Sequence, residues 1–97
     1  MTTLVIDTQI IKAQDVSVTE DTLSVDLMDG RTVSVPLGWY PRLLYASEEE
    51  LNNWRLIGHG EGIHWSNLDE DISIEDIVFG RASGESQKSF QRWLEKR

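Results

Sequence analysis

Two histidines and a carboxylate lie close together in the chain and have the right chemistry for a metal site. His59, Glu61 and His64 stand in the run GHGEGIHW, and imidazole and carboxylate groups are ligands of zinc. The expected geometry separates them, because His59 falls in a turn and His64 on a strand, with no pair of histidines on one helical face. We therefore predict no metal site and no cofactor, and a small metal-dependent enzyme is the least favoured functional hypothesis.

A run of carboxylates follows, with the alternate spacing found in calcium-binding loops. Its oxygen-bearing residues are Asp69, Asp71, Ser73 and Glu75. The match fails where a calcium loop needs glycine at its sixth position and glutamate at its twelfth, because Ile74 and Gly80 stand there. Ser66 does not indicate a catalytic triad either, since no nucleophile-elbow pattern surrounds it. No phosphate-binding glycine motif is present, so we predict that the protein is not an enzyme.

The elements that would position these residues begin with a hairpin. Trp54 and Leu56, and then Ile63 and Trp65, stand at every second position, which puts the members of each pair on one face of a strand. A glycine-containing turn between the strands brings Trp54 and Trp65 together. The polar run over residues 66–71 predicts an exposed loop. Ser73 then caps a short helix that Gly80 ends.

An earlier part of the chain predicts a three-stranded meander. Valines and leucines alternate with polar residues over 16–18, 23–27 and 33–35. Asp29-Gly30 predicts a type I′ turn between the last two strands. The apolar clusters in residues 1–13 predict an edge strand or a packed arm.

Helices should follow the meander and close the chain. Pro41 fits the first turn of one helix, and Ser47 with Glu50 forms a capping box for the next. The last helix carries an apolar stripe of Phe90, Trp93 and Leu94. We predict one α+β domain over residues 1–97, with the meander and the second hairpin in one antiparallel sheet. Residues 1–80 hold the sheet and short helices, and the C-terminal amphipathic helix over 84–97 packs on one face.

Composition restricts the setting and the partners. The chain has 97 residues, no cysteine, and 17 acidic against 9 basic residues, for a formal net charge of −8. It can fold as one domain without disulfides. The charge repels phosphate backbones and attracts basic partners, although it also serves solubility. No signal peptide or membrane span is evident, so we expect a cytoplasmic protein with no membrane partner.

Three long runs together resemble a known family. They are DGRTVSVPLGWYPRLLYAS, NNWRLIGHGEGIHWSNLDEDISIEDIV and SGESQKSFQRWLEKR. In this combination the chain looks like the bacterial domain-of-unknown-function 2442 family, although Ser66 replaces the usual proline. The resemblance implies a small α+β domain with no assigned activity. In such a family, the genes often neighbour those of a second small family, which has prompted a toxin–antitoxin suggestion. Some relatives carry a helix-turn-helix after the domain, but this chain has only one helix after Gly84 and so lacks a complete motif.

Two further hypotheses compete for the function. The favoured one is a non-catalytic, antitoxin-like module that binds a basic protein partner, encoded by an adjacent gene, through an acidic loop and an aromatic edge. Its assigned residues are Asp69, Glu70, Asp71, Glu75, Asp76, Trp39 and Tyr40. The alternative is a DNA-associated regulator, for which direct nucleic-acid binding must overcome the net charge. Its assigned residues are Lys88, Arg92, Lys96 and Arg97. An unpaired edge strand with Trp39 and Trp93 is compatible with a homodimer.

Overall fold

A computed structural model describes residues 11–97 of the chain. The strand or arm predicted over residues 1–13 lies, up to residue 10, outside the described residues. Ile11 is buried in the core, and the first strand begins at Ala13. No helix in the described part of the chain is long and apolar enough to cross a membrane.

The first sheet is the predicted meander. Its antiparallel strands run in the order β1-β2-β3 and are β1 (Ala13–Val18), β2 (Thr22–Leu27) and β3 (Thr32–Pro36). The alternation is confirmed in the central strand, where Leu23, Val25 and Leu27 are fully buried while the residues between them are partly exposed. This sheet therefore contributes one face to the core and leaves the other to water.

The turn between β2 and β3 differs from the predicted type I′ turn. Gly30 has a φ of 95°, but Asp29 does not have the positive φ that a type I′ turn also requires. The Gly30 amide donates to the Leu27 carbonyl at 3.0 Å, and the Leu27 amide donates to the Arg31 carbonyl at 2.8 Å. This pattern is a tight turn followed by a glycine bulge, in which one positive φ is enough.

The second hairpin belongs to a sheet of its own. Its strands run in the order β4-β5-β6 and are β4 (Trp54–Ile57), β5 (Gly62–Trp65) and β6 (Glu70–Ser73). The pairing of Trp54 with Trp65 is confirmed. The expectation of one shared sheet is wrong for residues 11–97, where the strands form two sheets of three. The packing of their apolar faces on one core joins them instead.

Strand β6 occupies a segment whose start was predicted to be an exposed loop. Asp69 adopts a φ of 51°, which aspartate tolerates better than most residues, and the chain then reverses to pair with β5. Ile72 lies opposite Ile63, and both are buried, as is Leu68 in the turn. Burial of these apolar side chains outweighs the turn-forming tendency of the polar residues between them.

Four short helices complete the fold of residues 11–97. They are α1 (Pro41–Leu44), α2 (Glu48–Asn52), α3 (Ile74–Val78) and α4 (Gln87–Glu95). The capping box is confirmed, because the Ser47 hydroxyl accepts from the Glu50 amide at 3.1 Å and the Glu50 carboxylate accepts from the Ser47 amide at 2.9 Å. Ser73 precedes α3, but its side chain makes no capping hydrogen bond.

The C-terminal helix α4 is shorter than predicted and rests on the short helices. It begins at Gln87 after a Ser86 cap and ends at Glu95, rather than running over 84–97. Phe90 packs against Tyr45, with ring centroids 5.3 Å apart. Arg97 bonds the Glu50 carboxylate of α2 at 2.6 Å. The α+β class is confirmed: this helix contacts α2 and the end of α1, and its Trp93 packs against the core.

Candidate functional site

Tyr40 carries a buried hydroxyl group that has no hydrogen-bond partner among residues 11–97. The residue lies between a 3₁₀ turn (Leu37–Trp39) and the proline that begins α1. That position turns the ring into the core, where only 3% of the residue remains exposed. The Tyr40 hydroxyl makes no hydrogen bond in the structure. An unsatisfied buried hydroxyl costs free energy on the order of 1–3 kcal/mol, so this atom is unusual in a protein interior.

Glu70 supplies a second unpartnered polar atom. It is the first residue of β6 and lies opposite Trp65 of β5. Its Oε2 atom is buried and has no hydrogen-bond partner in the described part of the chain. Burial raises the pKa of Glu70 to about 7, and the positive charge of Arg42 opposes that rise. The carboxyl group is therefore held where losing its proton is costly.

The two groups line the same cavity, which we call the Tyr40–Glu70 cavity. Its volume is about 150 Å³. Its walls are Tyr40, Glu70, Asp71, Ile72, Ser73, Asp76, Arg81, Ala82, Ser83 and Gly84. Burial raises the pKa of Tyr40 to about 12, and the charges of Asp76 and Glu70 add to this effect. Both carboxylates are thus close enough to act on the Tyr40 phenol.

Backbone hydrogen bonds hold the wall over 81–84 in place. The Arg81 amide donates to the Asp76 carbonyl at 2.8 Å, and the Ser83 amide donates to the Trp39 carbonyl at 3.1 Å. The segment therefore links the end of α3 to the turn before Tyr40. At the mouth, Arg81 Nη1 bonds Asp76 Oδ1 at 3.0 Å, and both side chains are exposed.

A larger groove is also lined by residues of β6 and α3. Its volume is about 430 Å³, and its walls are Ile57, Gly58, Glu61, Gly62, Asp71, Ile72, Ser73 and Asp76. It shares four residues with the Tyr40–Glu70 cavity, namely Asp71, Ile72, Ser73 and Asp76. The junction of β6 and α3 is thus flanked by two concave surfaces. Two carboxylates are common to both.

The predicted partner-binding residues are distributed unevenly around this junction. Tyr40, Glu70, Asp71 and Asp76 line the cavity. The other three, Asp69, Glu75 and Trp39, do not line it. Trp39 is half-buried against the core, and the exposed aromatic side chains among the described residues are Tyr45 and Phe79.

The predicted nucleic-acid residues also separate into two groups. Lys88, Arg92 and Lys96 are exposed on α4. Arg97 instead pairs with Glu50 and lies 4.6 Å from the Trp93 ring centroid. Arg92 and Lys96 help to line a further pocket of about 250 Å³, together with Arg42, Asp69, Ser89 and Trp93.

The histidines considered for a metal site have other roles. His59 has a φ of 57° in the turn before β5. His64 lies opposite Asp71 on β6, and its Nδ1 is 2.5 Å from the Asp71 carboxylate. Within residues 11–97, no group of three or more histidine, aspartate or glutamate side chains is placed to hold a metal ion.

Sequence reasoning missed the ion pair that positions the turn before β6. Arg42 Nη2 lies 2.6 Å from Glu85 Oε2, and the two side chains are only 15% and 11% exposed. Arg42 Nη1 also donates to the carbonyl oxygens of Leu68 and Asp69, at 3.2 and 2.9 Å. The Arg42 hydrogen bond keeps the pKa of Glu85 below its usual value. No local pattern signals this contact, because its partners lie 43 positions apart.

Comparison with known proteins places this arrangement in a family. The model of a protein family of unknown function, DUF2442, matches residues 13–83. The chain belongs to the DUF2442 family. The match covers both sheets, α1 to α3 and the cavity walls up to Ser83, whereas the basic face of α4 lies beyond it.

Solved structures agree with this fold. A crystal structure of a protein of unknown function from Rhodospirillum rubrum is 27% identical, with a TM-score of 0.67, over 78% of this chain and 94% of that chain. A solution NMR structure of an uncharacterized protein from Chromobacterium violaceum is 20% identical, with a TM-score of 0.64, over 84% and 74% of the two chains. The second supports the fold alone. No curated protein matches the chain.

Proposed function

We propose that this DUF2442 protein is a non-catalytic binding module that docks a basic segment of a protein partner at the junction of β6 and α3. The observation that carries the proposal is the pair of concave surfaces that share Asp71 and Asp76. A partner lying across the junction would contact both surfaces, with these two carboxylates at its centre. Phe79, which is 51% exposed at the end of α3, adds apolar area beside them.

The charge distribution supports a basic partner. The five acidic residues assigned to this surface lie within one strand, the residue before it and one helix: Asp69, Glu70, Asp71, Glu75 and Asp76. Two of them have a nearby cation that compensates their charge only weakly. The pair of Arg81 with Asp76 is exposed to solvent, and His64, which faces Asp71, is charged only when protonated. With a net charge of −8, the protein would steer a basic partner and speed its association at low salt. Neutralising such a partner, in the manner of an antitoxin, fits this role.

Capture of the partner tests the proposal. The tagged protein is expressed in its source organism, purified at low salt and eluted by raising the salt concentration. The product of the adjacent gene, co-expressed, is the first candidate. The informative variant carries Asp71→Asn with Asp76→Asn. A matched control carries Glu48→Gln with Glu49→Gln, which changes the net charge equally at exposed positions of α2.

We expect a stoichiometric basic partner that the wild type and the control retain and that the double variant at Asp71 and Asp76 loses. Thermal unfolding of all three proteins shows whether the variants remain folded. The proposal fails if no stoichiometric partner is captured. It also fails if the control loses the partner to the same extent, because the surface would then act only through its total charge.

A second candidate function rests on the basic face of α4. Lys88, Arg92 and Lys96 are exposed and take part in none of the ion pairs within residues 11–97. They stand at four-residue intervals, so they share one helical face, as a phosphate-binding surface would require. An electrophoretic shift of DNA at low salt, lost when the three residues are replaced by alanine, would support a DNA-associated regulator. The absence of a shift would remove it.

A further inference from the structure

The Tyr40–Glu70 cavity is too small for a metabolite or a whole peptide. Ligand pockets are commonly about 300–1,000 Å³ in volume, whereas this cavity measures about 150 Å³. It can therefore receive one functional group at the end of a chain. Its polar walls include three carboxylate side chains and a phenol, so the group must be polar and must donate hydrogen bonds.

Two of the polar atoms lack partners among residues 11–97. The hydroxyl of Tyr40 and Oε2 of Glu70 are both buried and unbonded. The resident cation Arg81 does not satisfy them, because its guanidinium bonds Asp76 at the mouth and lies 5.4 Å from the Phe79 ring centroid. Both atoms have almost no accessible surface, so a donor group in the cavity reaches them only when these side chains turn towards it; it could then donate to Glu70 and to the phenol oxygen. That would remove a cost already present in the free protein.

The chemistry of the acceptors selects the donor. An ammonium group is a compact charge with three donors, and it suits separate acceptors such as a single carboxylate oxygen and a phenol oxygen. A guanidinium group binds best to both oxygens of one carboxylate, whereas the two buried acceptors here, Glu70 Oε2 and the Tyr40 hydroxyl, belong to different side chains. A calcium ion would need six or more oxygen ligands, and residues 11–97 offer no metal-binding cluster.

We propose that the Tyr40–Glu70 cavity binds the primary ammonium group of one lysine side chain of the basic partner, with Glu70, Tyr40 and Asp76 as its acceptors. The identity of this occupant rests on the proposed function. The cavity's preference for an ammonium group can be tested without any partner.

The experiment titrates the isotope-labelled full chain with n-butylammonium and follows backbone amide signals by NMR. The control probe is n-butyltrimethylammonium, which carries the same charge and alkyl chain but has no N–H donor. Measurements at about pH 8 keep most of Glu70 ionised, because its pKa is about 7 in the folded protein. We expect n-butylammonium to shift the amides of β6 and residues 81–84, with a Kd on the order of millimolar for so few atoms.

The control probe should bind at least about tenfold more weakly, because the loss of one charge-assisted hydrogen bond lowers an affinity by about tenfold or more. Glu70→Gln should weaken n-butylammonium binding by about tenfold, and Tyr40→Phe by about threefold. Glu49→Gln, at an exposed position of α2, should leave the affinity within about twofold, as expected for a distant surface charge. The amide spectra of the free variants show whether each is folded. If Glu70→Gln does not fold, Tyr40→Phe alone decides the test.

Two results would overturn the inference. One is equal binding of both probes, which would show general attraction to negative charge. The other is a wild-type affinity for n-butylammonium in both single variants, Glu70→Gln and Tyr40→Phe. Failure of the ammonium titration while partner capture still depends on Asp71 and Asp76 would remove the cavity's role and leave the proposed function standing.

Discussion

Replacing Glu70 by glutamine should stabilise the protein at high pH and leave its stability unchanged at low pH. Burial raises the pKa of Glu70 from 4.5 to about 7 in the folded state. The folded protein therefore holds this proton more tightly than the unfolded chain does. The resulting contribution to the free energy of unfolding is fully present below about pH 4.5 and is lost as the pH rises through 7. Glutamine is neutral throughout and has nearly the shape of the protonated acid.

The size of the effect follows from the pKa change. One pKa unit corresponds to about 1.4 kcal/mol, so the full change would be worth about 3 kcal/mol. Water reaches part of the Glu70 side chain, which is only half-buried, and screening reduces the energy. We expect Glu70→Gln to raise the free energy of unfolding by about 1.5 kcal/mol at about pH 8, relative to the wild type, and by nearly nothing at about pH 4.5.

Urea unfolding followed by tryptophan fluorescence measures this difference across the pH range. Subtracting the wild type from the variant at each pH cancels the groups that titrate in both proteins. Glu85 is the main source of residual coupling, because its charge also raises the pKa of Glu70. Glu49→Gln provides a baseline from an exposed carboxylate. A variant-minus-wild-type difference that is flat with pH, or that grows towards low pH, would refute the reasoning.

The remaining predictions concern stability near neutral pH and use the same unfolding assay. Arg42→Ala should lower the free energy of unfolding by about 3 kcal/mol, because it leaves the largely buried carboxylate of Glu85 without its cation. Arg81→Ala breaks an exposed pair and should lower it by less than about 0.5 kcal/mol. Similar losses in the two variants would contradict this. Gly60→Ala should cost about 3 kcal/mol, because Gly60 has a φ of 93° and a Cβ there would lie 2.6 Å from a β1 carbonyl oxygen; Gly84→Ala, with open space around it, should change stability by less than about 0.5 kcal/mol. Tyr40→Phe should leave the free energy of unfolding unchanged or raise it by up to about 1 kcal/mol. A decrease would mean that the hydroxyl has a partner in the free protein.

The features that could be predicted from the sequence are those set by neighbours along the chain. Alternation around Leu23, Val25 and Leu27 places the central strand of the first sheet, because the side-chain period of a strand is two residues. The capping box at Ser47 needs contacts only three residues apart. The pairing of Trp54 with Trp65 follows from the hairpin. In each case local geometry alone determines the contact.

The second sheet shows where local reasoning fails. The run before β6 contains residues with strong turn preferences, and those preferences predicted a loop. In the structure, Ile72 pairs with Ile63, and this tertiary contact decides the conformation of the segment. Asp69 makes the reversal possible by adopting a left-handed conformation. The alternation of Glu70, Ile72 and Ile74 was a signal for a strand, although it is too short to outweigh the polar residues around it.

The candidate site could be predicted only in part, for the same reason. The sequence indicated that acidic residues near Asp71 and an aromatic pair at Trp39-Tyr40 could form a surface. It could not show that Tyr40 turns inward and buries its hydroxyl, because that depends on residues 81–84 folding back over the preceding turn. Nor could it show that Glu70 is half-buried, with its Oε2 atom covered, while Asp71 beside it is exposed. Alternation predicts opposite faces, but not which face is covered.

This division between neighbouring carboxylates gives the acidic surface two physical functions. Exposed charges such as Asp71 act through water over about 8–10 Å, so they affect how fast a basic partner arrives, and salt weakens them. A half-buried group such as Glu70 would act mainly on an atom that enters its cavity, where screening by salt is weaker than at an exposed charge. Net charge alone, at −8, would attract every basic protein. On the proposed function, selection among such proteins would come from groups like Glu70 and Tyr40, which a donor of the right size would satisfy.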